Sequence, residues 1–261
     1  IDQPAHTKVR RTRKTGRFGK VDSGSPVLPL SARPIHRADP DLPVPTPTMP
    51  NKGVRVARRR RLLRIAGTQQ GLFTVAQANE AGLDRRARHH HLTYGNWRRT
   101  DAPCVYRLTG WPPDEHERLR AWLLWAGPGA HLTSWTALGL ARLTAAGPRV
   151  PVDLEIPFRR DRAGVRRRER LRRQLDDAGA AGTVHLHPGI RGSSVTIDGL
   201  RTRAPAEAIC AAVNHRRSSI ALGLASTLMD SGALRSDDLL FASLEIGCGP
   251  INELLLRRFA G

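Results

Sequence analysis

The stretch from residue 71 to residue 108, GLFTVAQANEAGLDRRARHHHLTYGNWRRTDAPCVYRL, is punctuated by residues that begin and end helices. Those residues are Gly71, Thr74, Gly82, Asp84 and Gly95. Threonine and aspartate cap helix N-termini, and glycine adopts the left-handed backbone conformation that ends a helix. We therefore predict one short helix over Val75–Ala81 and a second from Arg85 to about Tyr94, joined by a tight turn.

The order of these segments predicts a DNA-binding module. A helix, a turn of three or four residues containing glycine, and a second helix rich in cations form the helix-turn-helix plan. After the second helix, Trp97–Thr100 and Cys104–Leu108 alternate in character around Asp101-Ala102-Pro103. This alternation predicts a two-stranded hairpin that acts as a wing, so the whole module is expected to be a winged helix-turn-helix.

One face of the second helix carries the candidate DNA contacts. Arg86, His89, His90 and Thr93 recur at i, i+3, i+4 and i+7, which places them in one stripe. The hairpin arginines fit phosphate or minor-groove contacts. The predicted DNA-binding residues are Arg85, Arg86, His89, His90, Thr93, Arg98 and Arg99. Three consecutive histidines do not predict a metal site, because neighbouring helical residues point about 100° apart.

The helix before this module is strongly basic and starts at about Val54. Its arginines, Arg58–Arg61 and Arg64, form either a solvated face or phosphate contacts at the edge of the groove. The apolar residues expected to face inward are Val54, Leu62, Leu63, Ile65 and Ala66.

Charge favours a polyanionic partner. The chain has 43 Lys and Arg residues against 23 Asp and Glu, a formal charge of +20. Most of these cations are arginines, which suit bidentate phosphate and guanine contacts. Residues 1–52 hold nine of the nineteen prolines and little apolar periodicity, so we predict a disordered basic tail there. One hypothesis is that the working protein starts at Met49.

Other site classes are not expected. Cys104, Cys210 and Cys248 lie far apart with no CxxC pair, which argues against a disulfide framework or a cysteine zinc site. No apolar run reaches the ~18 residues that a membrane span needs. We expect a cytoplasmic protein with no membrane contact, no metal and no cofactor.

The remaining chain is predicted to form a second domain. The module occupies 53–110, and 111–261 is expected to form a mixed α/β domain with a small sheet and several helices, which makes the fold class α+β. Val150–Phe158 alternates apolar and polar residues. This pattern predicts a half-buried strand, and its prolines favour a position at a sheet edge.

Two later features carry charge or possible ligands. The basic run Arg159–Arg173 is predicted to be a solvated helix or loop anchored by Leu171 and Leu175, and a role in nucleic-acid binding is left open. His185 and His187 share one strand face. Because no third ligand is evident, we expect both to be exposed to solvent.

Several segments together resemble a known family. They are GLFTVAQANEAGLDRRARHHHLTYGNWRR, VYRL, AGPGAHLTSWTALGLARL, VDLEIPF and VTIDGLRTRAPAEAI, within residues 54–230. This part of the chain resembles AbiEi-family antitoxins of the actinobacterial branch, the transcriptional-regulator half of type IV toxin–antitoxin systems. The chain departs from the family at Arg88, where an apolar residue is usual, and at 101–104, where a shorter turn is usual.

The resemblance implies a function for each domain. The winged helix-turn-helix would repress its own promoter by binding duplex DNA, with inverted repeats as the expected site. The C-terminal domain would counteract a nucleotidyltransferase-type toxin. The alternative is a protein-interaction module whose basic surface binds an acidic toxin and whose helix-turn-helix is vestigial.

Enzymatic patterns are incomplete. Asp153-Leu-Glu155 could supply the carboxylates of a restriction-endonuclease-type nuclease, but Pro157 stands where that chemistry needs lysine. Gly192-Ser193 is followed by Asp198 without the paired aspartates of a nucleotidyltransferase. GxSxG, P-loop and HExxH patterns do not occur. We predict no enzymatic activity and no catalytic residues.

Overall fold

The computed structural model describes residues 52–144, 151–157, 162–189, 192–215 and 218–260. Within these ranges the protein is mixed α/β, consistent with the predicted α+β class. Its helices are α1 Lys52–Gly67, α2 Val75–Glu80, α3 Arg85–Thr93, α4 Glu117–Ala126, α5 Ser134–Leu140, α6 Arg162–Asp177, α7 Pro205–Val213, α8 Ser218–Asp230, α9 Ser236–Ile246 and α10 Gly249–Phe259. Its strands are β1 Leu72–Thr74, β2 Trp97–Arg99, β3 Val105–Leu108, β4 His131–Leu132, β5 Val152–Ile156, β6 Val184–Pro188, β7 Ser194–Ile197 and β8 Leu200–Arg203. The predicted tail at 1–52 lies, but for its last residue, outside the described residues.

The two short helices begin where their caps predict. The Thr74 side chain accepts a hydrogen bond from the Gln77 backbone N–H, and the Gln77 side chain accepts one from the Thr74 N–H, a reciprocal capping box. Asp84 accepts a hydrogen bond from the Ala87 N–H at 2.9 Å. Gly82, at φ +82°, makes the turn between them, and a side chain there would meet the Arg58 side chain of α1.

A three-stranded antiparallel sheet supports these helices, in the order β1-β3-β2. Strand β1 was not expected from the sequence. Side chains alternate across a sheet, so Phe73, Trp97 and Tyr106 share the face that packs with α1, α2 and α3. Leu72 and Val105 lie on the other face and pack into the core that contains α4. The sheet is therefore covered on both faces.

A second sheet has five strands in the order β6-β5-β4-β8-β7. Strand β5 is internal and pairs parallel with β6 and antiparallel with β4. All five of its residues are buried. The prediction of a half-buried edge strand is therefore wrong. Pro151 and Pro157 lie just outside β5, so their missing N–H groups leave its hydrogen-bond ladder intact.

Two large apolar clusters fill this region. Helices α4 and α6 cover one face of the five-stranded sheet, with Trp122 fully buried in that cluster. The cluster also contains Leu72, Ala102 and Val105, so apolar contacts cross the predicted domain boundary at 110/111. Helices α7 to α10 pack with α5 around Ile209 to form the other cluster.

Helix α1 buries less than its sequence predicts. Leu62 and Ala66, one turn apart, are buried against the three-stranded sheet and its helices. Val54 and Leu63 were expected to face inward, but both are exposed. One helix can press only a narrow stripe against so small a cluster. Among the described residues, none of the helices is long and apolar enough to cross a membrane.

Candidate nucleic-acid interface

The outer face of α3 presents the predicted contact residues to solvent. Arg85, Arg86, His89, His90 and Thr93 are all exposed. Leu83, Ala87 and Leu92 pack beneath them in the apolar cluster that also contains Leu62, Ala66, Phe73, Ala78, Ala81 and Trp97, here called the α1–α3 cluster. The helix thus has one face fixed by the core and an opposite face of cationic and polar groups.

Most of these outward groups are not used within the protein. The side chains of Arg85, Arg86 and His89 have no hydrogen-bond or ion-pair partner among the described residues. The His90 ring lies 4.3 Å from the Tyr94 ring, between centroids, and Thr93 donates a hydrogen bond to the His89 carbonyl. The two arginines are therefore available to an external ligand without breaking an ion pair.

His91 has a different role from the two histidines before it. Its ring stacks on Trp97 at 4.5 Å between centroids and 19° between planes. Burial, followed by the charges of His90 and Arg59, lowers the pKa of His91 below its usual value. His91 is thus a neutral side chain on the inner side of α3, where it packs on Trp97.

Arg88 fixes α3 to the preceding helix. This side chain is half-buried and donates hydrogen bonds to the Asn79 side chain and the Leu83 carbonyl. The guanidinium is thus satisfied by oxygens of α2 and of the turn that follows it. Arg88 stabilises the arrangement of the two helices.

Arg98 and Arg99 lie on opposite faces of the three-stranded sheet. Arg99 pairs with Tyr106, whose side chain packs with the α1–α3 cluster, so Arg99 belongs to the face that carries α3. It is exposed and has no hydrogen-bond or ion-pair partner among the described residues. Arg98 is on the α4 face and donates to both Glu117 carboxylate oxygens, at 2.7 and 2.8 Å. Of the two, Arg99 is the better candidate for a DNA contact.

The hairpin turn packs inward. Ala102 and Pro103 are buried, and Ala102 belongs to the α4 cluster. The Cys104 carbonyl accepts a hydrogen bond from the Val75 N–H at 2.9 Å, which ties the turn to the start of α2. Within the turn of the expected wing, Ala102 and Pro103 are thus covered by neighbouring elements, while Asp101 and Cys104 on either side of them are exposed.

An arginine that sequence reasoning missed joins the hairpin to α4. Arg107 is only 2% exposed and pairs with Glu117 in the first turn of α4. It also donates to the carbonyls of Trp111 and Pro112. The available signal was a cation in the middle of the alternating strand VYRL. A buried, multiply bonded arginine at this point holds the hairpin and α4 in one orientation.

A second missed feature is a polar cluster on the five-stranded sheet. Asp153 accepts hydrogen bonds from His187 at 3.0 Å and His185 at 3.2 Å, and His187 also bonds to His215. The expectation that both strand histidines are exposed is wrong for His187, which is buried. Burial and then the charge of His187 lower the pKa of His215. Among the described residues, no group of three or more His, Cys, Asp or Glu side chains is arranged to hold a metal ion.

Beside this cluster, Glu155 and Glu207 share Arg203. The guanidinium bonds to both Glu155 oxygens and lies 3.5 Å from a Glu207 oxygen. Burial alone would lower the pKa of Arg203, but its hydrogen bonds and charge pairing with the glutamates raise it. Glu207 also accepts hydrogen bonds from the backbone and hydroxyl of Ser193. Glu155, one of the two carboxylates considered for nuclease chemistry, is therefore held in a buried ion pair with Arg203.

In comparisons with known proteins, no protein-family model and no curated protein matches this chain. Among solved structures, the crystal structure of the RV2827C protein from Mycobacterium tuberculosis is similar, with a TM-score of 0.35 and 13% sequence identity. That match covers 77% of this chain and 81% of the other.

Proposed function

We propose that this protein is a sequence-specific, duplex-DNA-binding transcriptional regulator without enzymatic activity. The observation that carries the proposal is the outer face of α3, where Arg85, Arg86 and His89 are exposed and unpaired among the described residues. The opposite face of this helix is fixed to a sheet. A rigid helix with a cationic, hydrogen-bonding face matches what insertion into the major groove requires.

The connectivity supports this proposal. The order α1-β1-α2-α3-β2-β3, with the sheet order β1-β3-β2, agrees with a winged helix-turn-helix in which α3 is the recognition helix. In this arrangement Arg86 reads a base, while Arg99 meets the phosphate backbone. Arginine offers two donors to the O6 and N7 acceptors of guanine, so we assign Arg86 to a G·C pair.

We further propose that the C-terminal half acts as an antitoxin toward a nucleotidyltransferase-type toxin. This part rests on the resemblance to AbiEi-family antitoxins. Exposed Phe241 and Leu244 on α9, and Leu256 and Phe259 on α10, favour a protein partner for this half. Growth rescue of cells expressing an adjacent toxin, and its loss in a Phe241→Asp/Leu244→Asp variant that still binds DNA, would test it.

Binding to the region upstream of the gene tests the main proposal. Fluorescence anisotropy would compare that duplex with a scrambled duplex of equal length and composition. We expect a preference for the upstream duplex, and Arg86→Ala should reduce it by weakening specific binding by about 1–3 kcal/mol. Arg235→Ala, a change of equal charge on an exposed side chain next to α9, is the control. Equal affinity for both duplexes would refute sequence-specific recognition.

A further inference from the structure

Helix α6 concentrates positive charge away from α3. It contains the arginines Arg162, Arg166, Arg167, Arg168, Arg170, Arg172 and Arg173. Leu171 and Leu175 bury one face against the five-stranded sheet, as the sequence predicts. The predicted run begins at Arg159, and residues 159–161 lie outside the described residues.

Four of these arginines form one outward stripe. Arg162, Arg166, Arg170 and Arg173 are spaced by four, four and three residues, which places them on the face opposite Leu171. All four are exposed, and none has a hydrogen-bond or ion-pair partner among the described residues. The stripe is about 16 Å long at 1.5 Å per residue.

The charges of α6 oppose the stability of the helix itself. Arg162 stands at the N-terminus, where the helix dipole disfavours cations, and Asp176 and Asp177 stand at the C-terminus, where it disfavours anions. Arginines four residues apart also repel each other. The same repulsion contributes at Arg167, whose pKa is lowered by burial and then by the charge of Arg170. The exposed Glu169, three residues after Arg166 and four before Arg173, offsets one of the seven arginine charges. The remaining excess of positive charge costs the isolated helix stability, and an external anion would relieve the repulsion.

We infer that this stripe binds the phosphate backbone of duplex DNA without reading sequence. The inference rests on the proposed DNA-binding function and adds a second contact surface to it. Helix α6 has no aromatic residue, so it lacks the stacking platform that single-stranded nucleic acid uses. Its one exposed large apolar residue, Val165, lies off the stripe, so the stripe lacks the apolar centre typical of protein interfaces. A stripe of arginines suits phosphate groups, because a guanidinium can donate two parallel hydrogen bonds to phosphate oxygens.

The dimensions suit this partner. The phosphates of one strand are spaced by about 3.4 Å of rise along the duplex axis, so a stripe of about 16 Å reaches at most about five of them, and fewer where the strand winds away. Helix α4 connects this surface to the proposed DNA-binding module. Arg167 donates to the Ala126 carbonyl at the end of α4, and Trp125 bonds to Gln174, while Glu117 at the start of α4 holds the hairpin. The stripe is thus held firmly, and its contact with DNA costs little ordering of the backbone.

Salt dependence of binding by the full chain tests the inference. The test variant is Arg166→Gln/Arg170→Gln, since glutamine preserves helix propensity. The control is Arg235→Gln/Arg257→Gln, which removes the same charge from side chains that are 76% and 82% exposed. We expect the slope of log K against log salt to flatten by about 1.8 for the test variant, at about 0.9 per lost phosphate contact. The change should be equal for upstream and scrambled duplexes, and circular dichroism should confirm folding.

Each outcome separates the two proposals. A slope unchanged by the α6 variant, with a preference for the upstream duplex that Arg86→Ala reduces, overturns this inference and leaves the proposed function standing. A slope that flattens in the α6 variant, without any preference for the upstream duplex, supports this inference and overturns the proposed sequence-specific function. An equal change in the control attributes the effect to net charge and overturns the inference. Stronger competition by a polyglutamate peptide than by duplex, dependent on Arg166 and Arg170, would assign the stripe to an acidic protein instead.

Discussion

The guanidinium of Arg98 is held by the carboxylate of Glu117 through two hydrogen bonds of 2.7 and 2.8 Å. The pair ties the hairpin to the first turn of α4, where Glu117 also meets the buried Arg107. The neighbouring Arg99 makes no such contact among the described residues. Two adjacent arginines of one strand therefore have different roles, because successive side chains of a strand point to opposite faces.

Single substitutions should separate these roles. Arg99→Gln is expected to weaken binding to all duplexes and flatten the salt slope by about 0.9, the value for one phosphate contact. Arg98→Gln should leave the slope unchanged. Because Arg98 is about half exposed, losing its ion pair should lower the free energy of unfolding by at most about 1 kcal/mol.

Anisotropy titrations at several salt concentrations, together with urea unfolding, measure both effects. If Arg98→Gln flattened the slope and Arg99→Gln did not, the assignment of faces to DNA contact and to structural support would be reversed.

Gly71 should be intolerant of a side chain. Its φ is +80°, and a Cβ there would lie 2.6 Å from the Cβ of Trp111. Gly71→Ala is therefore expected to destabilise the protein by about 2–5 kcal/mol, from left-handed strain plus overpacking. Gly179, at φ +63° with nothing within 4 Å, is the matched control, and Gly179→Ala should cost only about 1–2 kcal/mol. Equal losses in urea unfolding would show that Trp111 can move aside.

Local signals in the sequence were sufficient to place α2 and α3. Thr74 and Asp84 cap α2 and α3 by bonding to backbone three residues away, an interaction that a short window of sequence contains. The exposed stripe of α3 followed from helical spacing in the same way. Its assignment to DNA contact stays a prediction.

Long-range pairing explains what the sequence did not reveal. Asp153 and Glu155 were expected on the solvated face of an edge strand, yet both are buried. Their partners, His187 and Arg203, lie 34 and 48 residues further along the chain, so no local sequence pattern predicts these contacts. The inward hairpin turn depends likewise on α4, which covers Ala102.

Arg203 should be essential for folding stability. Arg203→Gln leaves the carboxylates of Glu155 and Glu207 buried without their shared cation. Removing one partner of a buried ion pair typically costs about 3–5 kcal/mol, and we expect a loss in that range. Adding Glu155→Gln should recover part of it, because one of the two buried carboxylates that have lost Arg203 is neutralised. Urea unfolding of the single and double variants would show this coupling, and strictly additive losses would contradict it.

Acid should destabilise the fold through three histidines whose pKa is lowered in the folded protein. The pKa values of His91, His131 and His215 are all lowered, in each case mainly by burial. The unfolded chain takes up protons on these groups near pH 6.5, whereas the folded protein resists doing so. Below about 6.5 the unfolded state therefore binds more protons, and the free energy of unfolding decreases as the pH decreases.

Their contribution is fully present above about pH 6.5 and is lost as the pH falls through the lower folded values. Urea unfolding at pH 7.5, 6.5 and 5.5 would measure the loss, at pH values above the range where Asp114, whose pKa is also lowered, titrates. His91→Phe keeps an aromatic ring against Trp97 and removes one titrating group, so its stability should depend less steeply on pH. A wild-type protein equally stable at all three pH values, or more stable at 5.5, would contradict the lowered pKa of these histidines.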